Sequence, residues 1–252
     1  MLAGYQISYE EQKIISLSPK ECVEQKDEGL YSVFVINESA GHIENAQINK
    51  KSSVKKQSGK ITMGVPDCEF IRGKVPMTKE EIRTVSISKL NLNYDSIVYD
   101  IGSGTGSVAV EIAMLSEKIS VYAIEKNPEA LELIGANSEK FYCDNICRVE
   151  GSAPEVLNDL PAPTHAFIGG SSGKILDIVK VLINKNPKVR IVANAVSLET
   201  LKELIMLENE LPIDDFEVVT LNVSKTHAVG SYHMMKAENP VYICSFRGRI
   251  EM

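Results

Sequence analysis

The stretch SIVYDIGSGTGSVAVEIAM, residues 96–114, runs from apolar residues through three glycines into a second apolar run. Ser96–Ile101 reads as a strand. Val108–Leu115 is apolar on nearly every face apart from Glu111, as in a helix pressed against a sheet. Open parallel sheets bind small ligands beyond the carboxyl ends of their strands, where strand order reverses, and this turn sits at such a place. Its glycines, Gly102, Gly104 and Gly106, are spaced G-x-G-x-G. Ser107 stands where a dinucleotide fold has its third glycine, and no Walker lysine follows. The turn therefore departs from both common phosphate-binding patterns.

Downstream, strand and helix alternate. VYAIE (121–125) is a strand, and Asn127 caps the next helix, with Pro128 at its first position and Glu129 in its first turn. CRVEG (147–151) and HAFIGG (165–170) are strands. Ser171 and Ser172 are expected to cap a helix over 174–184, which places Ile175, Ile178, Val179 and Leu182 on one side. VRIVANAV (189–196) is a strand, and Ser197 caps a helix carrying Leu201, Leu204 and Ile205. Upstream, Thr78 and Glu81 form a capping box ahead of Ile82, Val85 and Leu90. FEVVTLNV (216–223) and PVYICSF (240–246) are joined by a stretch too short for a crossover helix. They are expected to pair antiparallel at the sheet edge, with a loop between them. The fold class is thus α/β: a doubly wound, mostly parallel sheet with an antiparallel C-terminal strand.

The chain has 252 residues, a net charge of -7, 44% hydrophobic and 24% charged residues, and no Trp. This is a globular composition whose acidity and few aromatics disfavour a nucleic-acid partner. The start lacks a signal-peptide layout and no apolar run is long enough to span a membrane, so a cytoplasmic protein is expected. Five cysteines without a second pair at zinc-finger spacing read as reduced thiols, with no metal site. Residues 1–36 form a short appendage: SPKECVEQ (18–25) suggests helical turns and LYSVFVI (30–36) a strand. A polar linker extends over 37–63, and residues 64–252 form the main domain.

D-x-G-x-G-T-G resembles the first motif of class I methyltransferases, which bind S-adenosyl-L-methionine. The physical logic is plain: glycine lets the backbone adopt positive φ and approach a ligand closely. Asp100 can order the turn and favour a cationic ligand, and the helix start offers N–H groups to a carboxylate. Glu125, at the end of the next strand, can accept from both ribose hydroxyls.

The stretches GVPDCEFIRGKVPMTKEEIR (64–83), YAIEKNPEAL (122–131), EGSAPEVL (150–157), FIGGSSG (167–173), NAVSLET (194–200) and NPVYI (239–243) also resemble a known family. It is the decarboxylating precorrin methyltransferases of cobalamin biosynthesis, which methylate carbon 15 of precorrin-6B or its cobalt complex and remove carbon dioxide from the ring-C acetate. The resemblance implies that Thr78 lies beside the cofactor and that Gly102, Ser103, Gly104, Thr105 and Gly106 cradle its methionine moiety. It further implies that Glu125 takes the ribose and that Ser152 and the backbone of Ala153 meet the adenine. The family usually has Asp where this chain has Ser152. Residues 1–36 are similar to the tail of the companion carbon-5 methyltransferase, which implies a remnant without carbon-5 activity and an association with that enzyme. Family members form homotetramers, so a homo-oligomer is expected.

A tetrapyrrole substrate bearing many carboxylates needs cations at the cleft. Arg72 is the first candidate because a guanidinium forms a planar fork. Lys74, Lys225, Lys236 and His227 follow, with His227 and His233 as candidate acid or base. Gly169 and Gly170 leave room for a bulky substrate. The FIGGSSG turn lacks both the Asn-Pro-Pro-Tyr motif of amino-group methyltransferases and a Pro-Cys nucleophile. Catalysis would then be mainly positioning, with reacting atoms held about 3–3.5 Å apart. Two other functions remain open on the sequence: methylation of RNA or protein, and a non-catalytic S-adenosylmethionine-binding module.

Overall fold

Alternate residues of the central strands face two different cores, and this alternation builds the fold. The computed structural model describes residues 2–5, 13–16, 31–34 and 63–250. The chain divides into two compact units, Met1–Ser58 and Gly59–Met252. The first contains β1 (Leu2–Tyr5), β2 (Lys13–Ser16) and β3 (Tyr31–Phe34) in an antiparallel sheet ordered β2-β1-β3. The strand expected over 30–36 is present in its central four residues. The helical turns expected over 18–25 and the polar linker up to residue 60 lie outside the described residues.

The second unit starts with α1 (Glu80–Leu90), β4 (Ile97–Ile101), α2 (Ser107–Leu115), β5 (Ser120–Glu125), α3 (Pro128–Lys140) and β6 (Ile146–Glu150). It continues with β7 (His165–Ile168), α4 (Ile175–Lys185), β8 (Arg190–Ala195), α5 (Leu198–Glu210) and β9 (Ile213–Leu221). It closes with β10 (Ser224–Val229), β11 (Tyr232–Ala237) and β12 (Val241–Gly248). Seven strands form one sheet in the order β6-β5-β4-β7-β8-β12-β9. Neighbours from β6 to β8 pair in parallel, and β12 runs antiparallel to both β8 and β9.

Val98, Phe167, Val192 and Ile243 join the core with Ile82, Ile112 and Ile134 from α1, α2 and α3. Tyr99, Ile168, Ile191 and Phe246 join the other core with Ile178 and Leu204 from α4 and α5. Each strand thus serves two helical layers, as its period of two requires. Among the described residues, no helix is long and apolar enough to cross a membrane.

Several local expectations change. The caps at Asn127 and Ser197 form: each side chain accepts a backbone N–H from the first turn of its helix. The capping box at Thr78 does not. Lys79 is the N-cap of α1 and no side chain caps it. The Thr78 carbonyl instead accepts from Arg83 Nη1, while Glu81 turns to Lys225 at 2.8 Å. The serine cap before Lys174 is absent too, since α4 starts from Lys174 without side-chain capping. Ser172 takes φ +52° and its hydroxyl accepts from Lys126 Nζ at 3.0 Å. The expected antiparallel pairing of the last two sheet strands is present, with β9 at the edge and β12 inside it. The expected loop between them is a hairpin, β10 paired with β11, and every residue of both strands is exposed.

Candidate functional site

Strand order reverses between β4 and β7: the chain builds outward from β4 through β5 and β6, then returns to place β7 and β8 on the other side. The loops after β4 and β7 meet at this switch point. A Cβ on Gly102 would lie 2.8 Å from both the backbone N and O of Gly170, and one on Gly104 would lie 2.7 Å from the Pro76 carbonyl oxygen. Gly102 and Gly104 adopt φ +72° and +57°, where only glycine sits without strain. Gly106, also at positive φ, starts α2 and packs against Ile134.

Asp100 is fully buried at the end of β4. One carboxylate oxygen accepts from Ser103 Oγ at 2.6 Å and from the Ala109 amide at 3.1 Å, which locks the turn onto α2. The other oxygen, Oδ1, has no partner among the described residues. Burial pushes this carboxyl up to about 7, and the nearby Glu125 charge adds to the shift against the lowering effect of the two hydrogen bonds. Glu125, at the end of β5, accepts from the amides of Gly104 at 3.0 Å, Lys126 at 2.8 Å and Asn127 at 3.0 Å. Its carbonyl accepts from Gly151 N. This brings Ser152 and Ala153 to the same cleft, which Gly102, Glu125 and Gly170 also line.

A strap over residues 63–77 covers one side of the turn, and Thr78 follows it. Arg83 and Glu111, both buried, hold the strap. The Arg83 guanidinium pairs with Glu111 and Asp67 and lies over the Phe70 ring, while Glu111 accepts the amides of Gly64 at 2.8 Å and Val65 at 3.1 Å. Asn137 of α3 completes the attachment: its side chain donates to the carbonyls of Thr105 and Ile71 and accepts from Ile71 N. Sequence reasoning missed Arg83, Glu111 and Asn137 as a unit. The available signal was a charge on an otherwise apolar helix face, because a buried charge requires a partner.

Of the expected ligand residues, Gly102, Glu125, Ser152, Ala153 and Gly170 line one switch-point cleft, while Asp100 is buried behind it and Ser103, Gly104, Thr105, Gly106 and Gly169 belong to the adjoining turns. Thr78 follows the strap that contacts Gly104. Arg72 is exposed beside Gly73, which packs on Glu129 at the start of α3. His227 and His233 are exposed on the hairpin, opposite Met234 and Ala228, and His227 has no hydrogen bond or ion pair among the described residues. Lys225 is committed to Glu81, and Lys236 lies across from Lys225. The cleft offers the Glu125 carboxylate and the Gly102 and Gly170 turns, with the buried Asp100 carboxylate behind them. A ligand with a cationic centre beside a diol, such as S-adenosylmethionine, fits a cleft with the Glu125 carboxylate at its wall and the Asp100 charge behind it.

Comparison with known proteins identifies a family. The family described as "Precorrin methyltransferase domain" matches residues 69–247. A Pyrobaculum calidifontis protein called "Probable cobalt-precorrin-6B C(15)-methyltransferase (decarboxylating)" is 43% identical over 185 residues, 72% of this chain and 94% of that protein. A protein of the same name from Methanocaldococcus jannaschii is 41% identical over 182 residues, 71% of this chain and 95% of its own length. Among solved structures, a precorrin-6y C5,15-methyltransferase from Geobacter metallireducens superposes with a TM-score of 0.70 at 37% identity, covering 75% of this chain and 99% of that one.

Proposed function

Because the chain belongs to the precorrin methyltransferase family, we propose that it methylates carbon 15 of precorrin-6B or cobalt-precorrin-6B and removes carbon dioxide from the ring-C acetate. One observation carries the site assignment: the contact of Gly102 with Gly170, which leaves a side-chain-free opening between the turns after β4 and β7. When bound there, S-adenosylmethionine supplies an electrophilic methyl group. The chain's residues position the reactants. Glu125 holds the ribose hydroxyls, Ser152 and the Ala153 backbone border the adenine, and Gly102–Gly106 receive the methionine moiety with Thr78 beside it. The Asp100 carboxylate orders the turn through Ser103 and Ala109 and favours positive charge above it.

On the substrate side, Gly169 and Gly170 leave the opening low, and Arg72 can meet a peripheral carboxylate with two parallel donors. His227 is read as a further substrate contact, offered from the exposed hairpin. Loss of carbon dioxide leaves electrons that the conjugated macrocycle absorbs, so this step asks little of the protein beyond orientation. The exposed hairpin supports a homo-oligomer, and the count of four rests on the family resemblance alone. A two-stranded ribbon exposed on both faces is marginal in water and gains stability when other chains cover it. We read residues 1–36 as a remnant of a carbon-5 methyltransferase tail and 64–252 as the methyltransferase domain.

The test is incubation with S-adenosylmethionine and precorrin-6B, with and without cobalt, followed by mass spectrometry. Gain of one methyl with loss of one carboxyl is expected. Methylation of bulk RNA with no change in precorrin-6B would overturn the reading.

A further inference from the structure

Val196 and Leu198 are 73% and 67% exposed, among the most exposed large apolar side chains of the methyltransferase unit. They follow β8 at the carboxyl edge of the sheet, the edge that carries the ligand cleft. Their exposure is built in. Ser197 lies between them in extended conformation (φ -113°, ψ 153°), so its two neighbours project to the same side. Ser197 is also pinned, because its hydroxyl accepts from Thr200 N at 3.2 Å and donates to Thr200 Oγ1 at 3.0 Å.

β8 neighbours β7, and β7 neighbours β4. The apolar pair therefore stands two strand spacings, about 10 Å, from the turn after β4. Between them lie Gly169, Gly170, Ser171, Ser172 and Gly173, a low shelf of small residues. The neighbouring Glu199 is exposed and would repel a carboxylate.

Resting on the function proposed above, we propose that Val196 and Leu198 seat the apolar face of the tetrapyrrole, level with the methyl-donor cleft. The ring is flat, conjugated and apolar on its faces, while its carboxylates project from the rim. An apolar step takes the face and leaves the rim to reach outward, where the exposed Lys202, one helical turn from Leu198, stands. A macrocycle of four pyrrole rings is wide enough to rest on this step and still present one meso carbon over the shelf. The pair thus contributes to binding in the ground state and the transition state alike, which raises affinity without changing the chemical step.

The test uses the full chain and three variants: Val196→Ser, Leu198→Ser and Val196→Leu. Each serine variant is expected to raise KM for precorrin-6B about tenfold, the effect of losing part of one buried aliphatic side chain, with kcat at saturation unchanged. Val196→Leu is expected to keep the wild-type KM. S-adenosylhomocysteine affinity, measured by calorimetry, is expected to be the same in all four proteins and reports an intact fold and cofactor cleft. Unchanged KM in both serine variants would overturn the seat. So would a change of oligomeric state on sedimentation, which would assign the pair to contact with a second copy. A wild-type protein inert toward precorrin-6B would remove the functional reading and the seat with it, whereas active wild type with unaltered variants would remove the seat alone.

Discussion

At the scale of single residues, Asp100 sets the pH response. Burial is the largest cause of its elevated pKa, about 7. The folded protein therefore holds a proton that the unfolded chain has lost, and stability from this group falls as pH rises from about 4 through 7. Affinity for a cationic ligand runs the other way, because the ionised carboxylate is the attracting form. S-adenosylmethionine affinity, followed by calorimetry, is expected to rise between about pH 6 and about pH 8, and the rise is expected to disappear in Asp100→Asn. Gly104→Ala makes a second case. Its Cβ would lie 2.7 Å from the Pro76 oxygen at a positive φ. A loss of about 1–3 kcal/mol in denaturant unfolding is expected, with cofactor binding abolished. Asp100 and the glycines were legible in the sequence because they share one strand, turn and helix start, and Glu125 because it ends the next strand. Ser172 was not. Its positive φ and its bond to Lys126 depend on a strand 46 residues earlier in the chain.

At the scale of elements, the strap decides how rigidly the turn is held. Arg83 and Glu111 are both buried, so removing Arg83 leaves the Glu111 charge without a cation, while removing Glu111 leaves Arg83 only Asp67. Arg83→Met is expected to destabilise the protein by about 3–5 kcal/mol in urea unfolding. The double variant Arg83→Met, Glu111→Met is expected to recover much of this loss, because no lone charge then remains buried, although the amides of Gly64 and Val65 lose their acceptor. Strands and helices were legible to within a few residues, since the two-residue and 3.6-residue periods are local. The ends of α1 and α4 were less so. Thr78 and the serines at 171 and 172 have capping chemistry, but α1 takes Lys79 as its N-cap, which leaves Thr78 outside, and Lys126 holds the Ser172 hydroxyl. Glu111 was visible as the one acid on an apolar helix. Its partner was not, because a separation of 28 residues has no local signature.

At the scale of the whole molecule, the alternation of strands and helices announced a doubly wound sheet, and the missing crossover before the last strand announced its reversed direction. The hairpin was hidden because Lys225, His227, His233 and Lys236 made its strands read as a polar loop. Val223 O already accepts from Glu238 N at 2.8 Å, so the ribbon leaves and re-enters the sheet through one closed neck. Replacing Ser224–Ala237 with a short turn is expected to leave thermal unfolding of the sheet close to wild type and to lower the mass seen by sedimentation to that of one chain. The position of β12 has a further consequence for synthesis. A ribosome delivers β8, then α5, then β9, yet β8 and β9 never pair with each other: β12, made later, comes between them. Until residue 248 has cleared the exit tunnel, a nascent chain displays two unpaired strand borders at once. β12 is the wedge that closes both, so the chain is most open to misassociation between the synthesis of β9 and that of β12.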